Sequence, residues 1–262
     1  MNKNFSLKEN NKPPVDVILP NYNKSEFLIE AINSVLSQTY KNWVLYIVDD
    51  KSSDNSWRII ENTSNLKNII KIKLKKNMGP SFCRNYAMRI SKSKYISFID
   101  SDDIWDKNKL ERQINFMEEN NFNFTYTDYV PFLQIGIKKF YKKKTNLKDE
   151  FDFNAFTNNS SINTTTMIIN REIVGAHRFR KIKLMEDYLF KCQLMKSNNI
   201  AKKLNENLAY YRILDKSRSS QRLKNIFCLW YINKKYNKFG FFRNLISIIS
   251  ISINSIKKYG FK

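Results

Sequence analysis

The chain opens as short apolar blocks separated by amphipathic ones. VDVIL (15–19) is apolar and β-branched, which predicts a buried strand. NYNKSEFLIEAINSVLSQ follows, with Leu28, Ile32, Val35 and Leu36 at helical spacing. Asn23 followed by Glu26 has the form of a capping box, with Asn where Ser or Thr is usual. WVLYIV (43–48) predicts a second strand, and Asp54 is placed to cap a helix through WRIIEN. IIKIKL (69–74) alternates and predicts a third strand near an edge. A helix from Pro80 through SFCRNYAMRI, a strand YISFI (95–99), an amphipathic helix DKNKLERQINFMEEN (106–120) and a strand FNFTYT (122–127) complete the series.

Strand and helix alternating at this spacing imply right-handed crossovers and a mainly parallel sheet with helices on both faces. The second half is less regular. It holds a basic segment KKFYKKKTNLK (138–148), a strand-like TTMII (165–169), a helix-like DYLFKCQLMK (187–196) and a strand-like NLAYYRI (207–213). It reads as the completion of the same α/β domain, 15–220. A polar extension, 1–14, precedes it, and a helical, basic tail, 221–262, follows with a break at Gly240. There is no internal repeat.

Composition narrows the chemistry. The 262 residues carry 46 Lys and Arg against 24 Asp and Glu, a net charge of +22, and 42% of them are apolar. The apolar share supports a real core. The charge calls for an anionic partner, although a Lys-, Asn- and Ile-rich composition explains part of it. Cys83, Cys192 and Cys228 are far apart and form no CxxC pair, which argues for a reducing, cytoplasmic compartment and against disulfides or zinc. The single histidine, His177, has no partner for a metal site or a triad. The N-terminal MNKNFSLKENNKPP lacks an apolar signal segment, and LISIISISINSI (245–256) is too short and too broken to span a membrane.

Against that charge, acid gathers where the strands end. In an open α/β sheet, ligands bind beyond the carboxyl ends of the strands. Pro20-Asn21-Tyr22-Asn23 follows the first strand, Asp49-Asp50 the second, and Asp100, Asp102 and Asp103 the fourth. Asp54 and Asp106 are accounted for as helix caps; the other five exceed what capping needs. Clustered carboxylates raise each other's pKa unless a cation intervenes, and hard oxygen ligands suit Mg²⁺ or Mn²⁺ with an attached polyphosphate. An acidic DxD is weak evidence alone, but stronger directly after a strand and beside a second Asp pair. GxGxxG and GxxxxGK[ST] are both absent, and five glycines cannot build a phosphate-cradling loop, so metal and basic side chains must carry phosphate. Arg84 is one such side chain; its spacing alone fits a helix-surface arginine equally well.

VILPNYN, VDDKSSD, NMGPSFCRN and FIDSDDIWDKNKLE, in that order and at that spacing, resemble the family-2 glycosyltransferases of GT-A fold. The four motifs cover about residues 15–115, and LMEDYLF (184–190) is similar to the family's ED motif. The resemblance implies an inverting transfer from a nucleotide diphosphate sugar, commonly UDP-linked, with a nucleotide-sugar half at 15–115 and an acceptor half at 116–220. It implies that Pro20 and Tyr22 lie at the base with Asn23 nearby, and that Asp50 holds the uracil or ribose end. Arg84 would face the diphosphate. Asp100 and Asp102 would form the DxD, Asp102 as the direct metal ligand, and Asp187 would be the catalytic base; without the resemblance, Glu186 and Asp187 could equally open a helix. One departure is plain: YRILDKSRS (211–219) has Leu214 where many relatives carry a histidine. Weaker metal binding, or a larger share for Arg212 and Arg218, is then expected.

The tail mixes aromatics, aliphatics and lysines, a composition that can lie on an anionic membrane surface or simply pack on the domain. The first option suits a glycan or polyprenyl-linked acceptor in lipopolysaccharide, O-antigen or capsule synthesis, with the enzyme peripheral on the inner membrane face. Two other functions fit less well. The acid rim would repel a nucleic acid, so none is expected as partner. A sugar-phosphate nucleotidyltransferase on the same scaffold would open with a glycine- and lysine-rich loop where PNYNKSE stands.

Overall fold

The computed structural model describes residues 12–63, 67–214 and 222–259. Most of the 1–14 extension, and with it Ser217, Arg218 and Ser219, therefore lies outside the described residues. Strand β1 (Val15–Asn21) is buried along its whole length, because parallel neighbours flank it on both sides. Those neighbours are β2 (Trp43–Asp49) and β4 (Tyr95–Phe98), and β3 (Ile69–Lys73) lies parallel outside β2. Helices α1 (Ser25–Leu36), α2 (Ser56–Asn62) and α3 (Pro80–Ile90) make the crossovers. The path from β1 turns one way to β2 and the other way to β4. That reversal opens a crevice at the carboxyl ends of β1 and β4, where the acids stand.

The second half is a mixed sheet on the same frame. β9 (Ile168–Asn170) runs antiparallel between β4 and the long β6 (Phe124–Ile135). β10 (Ala201–Arg212) lies parallel to β6 and carries β5 (Ile104–Trp105) and β8 (Glu150–Phe151) antiparallel. β7 (Lys138–Tyr141) folds back on β6 through Gly136, whose φ of 58° suits a residue without Cβ. Parallel pairing thus belongs to the first half and to β6–β10.

Several sequence expectations shift. β6 and β10 extend well beyond 122–127 and 207–213: Asp128 and Pro131 look like breaks in the first, and Lys202-Lys203 and Asn205-Glu206-Asn207 in the second. The expected strand at 165–169 begins as a 3-10 turn, Thr164–Thr166. The capping box at Asn23 does not form. Asn23 is left-handed (φ 50°), its Oδ1 accepts from the Ser53 amide at 2.8 Å, and α1 begins at Ser25 without a side-chain cap. Asp54 instead serves two helix starts, accepting from the amides of Ser25 and Ser56, both at 2.9 Å. Asp106 does not cap α4 (Lys109–Asn120), whose N-cap is Asn108 without a side-chain bond; its carboxylate accepts from the Asn108 amide at 2.8 Å and fixes the turn just before the helix.

The remaining helices are α5 (Phe153–Thr157), α6 (Arg171–Val174), α7 (Glu186–Lys196) and the tail pair α8 (Arg222–Lys235) and α9 (Phe241–Tyr259), broken at Gly240 as expected. Leu229, Ile232 and Ile248 of the tail join the common core.

Candidate active site

The loop leaving β4 is closed by the Asp103 amide on the Asp100 carbonyl at 3.0 Å. It is held from two sides. Thr165 Oγ1 accepts from the Asp100 amide and donates to Asp103 Oδ2 at 2.6 Å. The Arg212 amide donates to Asp103 Oδ1 at 3.0 Å, and Arg212 Nε donates to the Asp102 carbonyl at 2.8 Å. The Arg212 guanidinium lies between the rings of Phe27 and Phe132 and also bonds Glu30 and Gln134. It thereby ties this loop to α1 and β6. Leu214 follows it, half-buried.

The five rim acids separate by partner. Asp49 is fully buried and accepts from Asn21 Nδ2, Ser52 Oγ and the Ser52 amide. Asp50 is buried and accepts from the amides of Met78 and Gly79 at 2.6 and 2.7 Å, fixing the loop before α3. A carboxylate so bonded keeps further lone pairs for a ligand. Asp103 is buried on the loop's inner side. Burial, then the nearby Asp102 and Asp100 charges, push its pKa well above the usual range, against the lowering hydrogen bonds from Thr165 and Arg212.

Asp100 and Asp102 meet charged side chains instead. Arg84 Nη2 donates to Asp100 Oδ1 at 2.7 Å, and Arg84 Nη1 lies 3.4 Å from Glu186 Oε1. Arg84 is buried, with its guanidinium 5.3 Å from the Phe179 ring centre, so it is no helix-surface arginine. Burial pulls its pKa down, but Asp100, Glu186 and Asp187 together hold it above the usual value. Lys24 Nζ lies 2.8 Å from Asp102 Oδ2. Burial raises the Asp102 pKa; Lys24 opposes and Asp100 reinforces that shift.

Asp187, in the first turn of α7, points to the same rim. Lys191 Nζ, one turn on, donates to its Oδ2 at 2.8 Å, and Thr164 Oγ1 donates to the same oxygen at 3.2 Å. Lys191 is only 2% exposed and also donates to the Ile162 carbonyl. Burial alone would raise the Asp187 pKa, but Lys191 and then Arg84 outweigh it and hold the carboxyl below the usual range. Asp187 is therefore an ionised acceptor at neutral pH.

Pro20 is buried at the end of β1, while Tyr22 (48% exposed) and Asn23 project at the mouth. The ring of Tyr22 is open to stacking on a planar base. Sequence reasoning overlooked Lys24, Lys191, Glu186 as the second partner of Arg84, and the Thr164–Thr165 clamp. Only Lys191 left a local signal, at i+4 from Asp187. His177 is half-buried and bonds Ser197, away from the rim contacts.

The donor set suits a hard divalent cation. Asp100 and Asp102 offer carboxylate oxygens two residues apart on one fixed turn. Among the described residues no third His, Cys, Asp or Glu joins them in a metal-binding cluster. One or two carboxylates with the remaining positions left to phosphate and water is the way Mg²⁺ is commonly held. Arg84 and Lys24 now neutralise these same oxygens, and Lys24, on a flexible stem, can release Asp102.

Residues 16–185 match the sequence profile described as Glycosyl transferase family 2. Among curated proteins, the chain is 30% identical over 248 residues to TuaG of Bacillus subtilis, a glycosyltransferase named for teichuronic acid biosynthesis, covering 94% of this chain and 98% of that protein. It is 31% identical over 252 residues to the Escherichia coli UDP-Glc:alpha-D-GlcNAc-diphosphoundecaprenol beta-1,3-glucosyltransferase WfgD, covering 94% and 95%. Among solved structures, S. aureus TarS 1–349 in complex with UDP-GlcNAc superposes with a TM-score of 0.70 at 19% identity, over 95% of this chain and 73% of that one. That likeness is one of fold.

Proposed function

This chain belongs to glycosyl transferase family 2, and from that premise we propose that it moves a hexose or N-acetylhexosamine from a UDP-sugar to a glycan or polyprenyl-linked acceptor in cell-surface polysaccharide synthesis. The observation that carries the reading is the convergence of Asp100, Asp102, Arg84 and Asp187 on one rim, from the β4 loop, α3 and α7. WfgD is named for a UDP-linked donor and a lipid-linked acceptor, and TarS was solved with UDP-GlcNAc, which supports the UDP and polyprenyl assignments. An O-antigen, lipopolysaccharide or capsule unit is the product class we favour.

In this reading Pro20, Tyr22, Asn23 and Asp50 border the nucleoside. Arg84 faces the diphosphate. Asp102, with Asp100, holds Mg²⁺ or Mn²⁺; bound there, the ion supplies positive charge against the departing diphosphate. Lys24, freed from Asp102, lies next to the same anion. Inversion requires the acceptor hydroxyl to attack opposite the leaving group. Asp187 takes that hydroxyl proton on its carboxylate, which Lys191 and Thr164 hold in place. Such general-base help contributes roughly 10²–10⁴-fold in rate.

The described residues hold no helix long and apolar enough to cross a membrane. We place the enzyme on the cytoplasmic side, peripheral at the inner face, where a polyprenyl-linked acceptor is met. The test is a panel of nucleotide sugars assayed for hydrolysis and transfer with Mn²⁺, Mg²⁺ or chelator. Turnover of a UDP-sugar that chelator stops and Asp102→Ala abolishes is expected. Turnover of other nucleotide sugars only would overturn the UDP assignment, and full activity in chelator would overturn the metal.

A further inference from the structure

The two tail helices bury one side and leave the other apolar. Leu229, Ile232 and Ile248 face the core, and Asn233, Asn244 and Ser247 are buried with them. On α9 Phe242, Leu245, Ile246, Ile249 and Ile253 are exposed and form a single stripe at i, i+3, i+4, i+7 and i+11. Phe242 is 79% exposed and Ile246 58%. On α8, Leu223 and Phe227 are exposed on a similar stripe, at 73% and 75%. At the elbow Trp230 packs edge-on against Phe241, and Phe241 against Phe242. A water-facing helix of a monomer does not ordinarily carry such a run; contiguous exposed apolar surface marks an interaction site.

Charge identifies the partner. Residues 222–259 contain eight Lys and Arg and no Asp or Glu. Lys224, Lys234, Lys235, Lys238 and Arg243 are exposed on the described surface. An apolar stripe flanked only by cations complements a surface with negative groups above hydrocarbon. A second copy of this segment would bring the same positive charge against it. We propose that the outer face of α8 and α9 lies on an anionic lipid bilayer, with the isoleucine stripe at the acyl boundary and the cations at the headgroups.

This surface is coupled to the site. Tyr188 Oη, next to Asp187 in the chain, donates to Asn233 Oδ1 of α8 at 2.9 Å. The helix that presents Asp187 therefore rests on the helices that would meet the lipid. The inference rests on the transferase reading only in its acceptor: a lipid-linked acceptor would reach the site from the membrane on which the tail lies.

The test is co-sedimentation of the full chain with phosphatidylcholine vesicles, with and without phosphatidylglycerol. Binding to the anionic vesicles is expected, with much weaker binding to phosphatidylcholine alone. Ile246→Glu with Ile249→Glu changes only exposed positions, and is expected to lower anionic-vesicle partitioning by about tenfold or more while leaving UDP-sugar hydrolysis unchanged. Failure of the native chain to bind anionic vesicles, or equal binding by the double variant, would overturn the proposal. So would a dimer in sedimentation velocity that the double variant dissolves while vesicles recruit nothing, since the face would then belong to a second copy. Absent hydrolysis with intact vesicle binding counts against the transferase reading alone; the reverse counts against the lipid surface alone.

Discussion

The rim carboxylates form two sets that differ in what donates to them. Asp49, Asp50 and Asp103 accept from backbone amides, a hydroxyl or a carboxamide, groups fixed by the fold. Asp100, Asp102 and Asp187 accept from Arg84, Lys24 and Lys191, cations on long side chains. Asp102 and Asp103 are adjacent in sequence and fall in different sets. A fixed neutral donor locks a carboxylate into structure, and exchanging it means breaking backbone bonds. A side-chain cation neutralises a carboxylate that a ligand can later claim. Donor type thus sets the cation-paired Asp100, Asp102 and Asp187 apart from the acids fixed by the fold, of which Asp50 alone is given a ligand, through the lone pairs its amide bonds leave open.

The largest effect expected of this division is at Asp187. Asp187→Asn keeps an oxygen for Lys191 but removes the proton acceptor, so kcat should fall by roughly 10²–10⁴-fold. Folding stability should fall by about 1–3 kcal/mol, because the buried Lys191 loses its counter-charge. Steady-state transfer with a saturating UDP-sugar checks the first, thermal melting the second; unimpaired kcat would remove Asp187 from the working set.

Next comes the contrast within the DxD turn. Asp103→Ala strands the Arg212 amide and the Thr165 hydroxyl, and should cost about 2–4 kcal/mol of unfolding free energy. Asp102→Ala loses a part-exposed ion pair worth about 1 kcal/mol or less. Denaturant titration of the two variants separates them, and equal losses would erase the distinction.

Lys191→Met sharpens the comparison through pH. Asp187 works ionised, so activity falls as pH drops through its pKa. Lys191 is the largest influence holding that pKa down, against burial. Its loss should move the acid limb of the kcat profile to higher pH, while the rate well above the limb stays. An unmoved limb would mean that Lys191 only packs. The smallest effect is expected of Lys24→Met. Freed of its ion pair, Asp102 should bind Mn²⁺ a few-fold more tightly without donor, about 1 kcal/mol or less, measurable by electron paramagnetic resonance of the free ion.

Much of this was legible along the chain. β1, β2 and β4 are buried on both faces and therefore read as apolar runs. The DxD and the Asp49-Asp50 pair stood out because each is local and directly follows a strand. What could not be read is contact across the sheet. Arg212 reaches the Asp102 carbonyl across 110 positions, and Arg84 reaches Glu186 across 102. β10 was cut short because Lys203, inside it, is a buried lysine that looks like a polar break; it meets Asp128, Asp149 and the Leu147 carbonyl. Asn23 failed as a cap because Ser53, thirty positions on, claims its side chain.

The polar chain beneath the tail tells an engineer where not to cut. Tyr188 Oη donates to Asn233, Asn233 Nδ2 donates to Ser247, and Ser247 Oγ donates to the Thr157 carbonyl. Trimming the tail to gain solubility would leave the Tyr188 hydroxyl facing a vacated seam, one residue from the proposed base. Repainting the outer isoleucines keeps that seam shut. A soluble version of this enzyme is therefore better reached by surface substitution than by truncation.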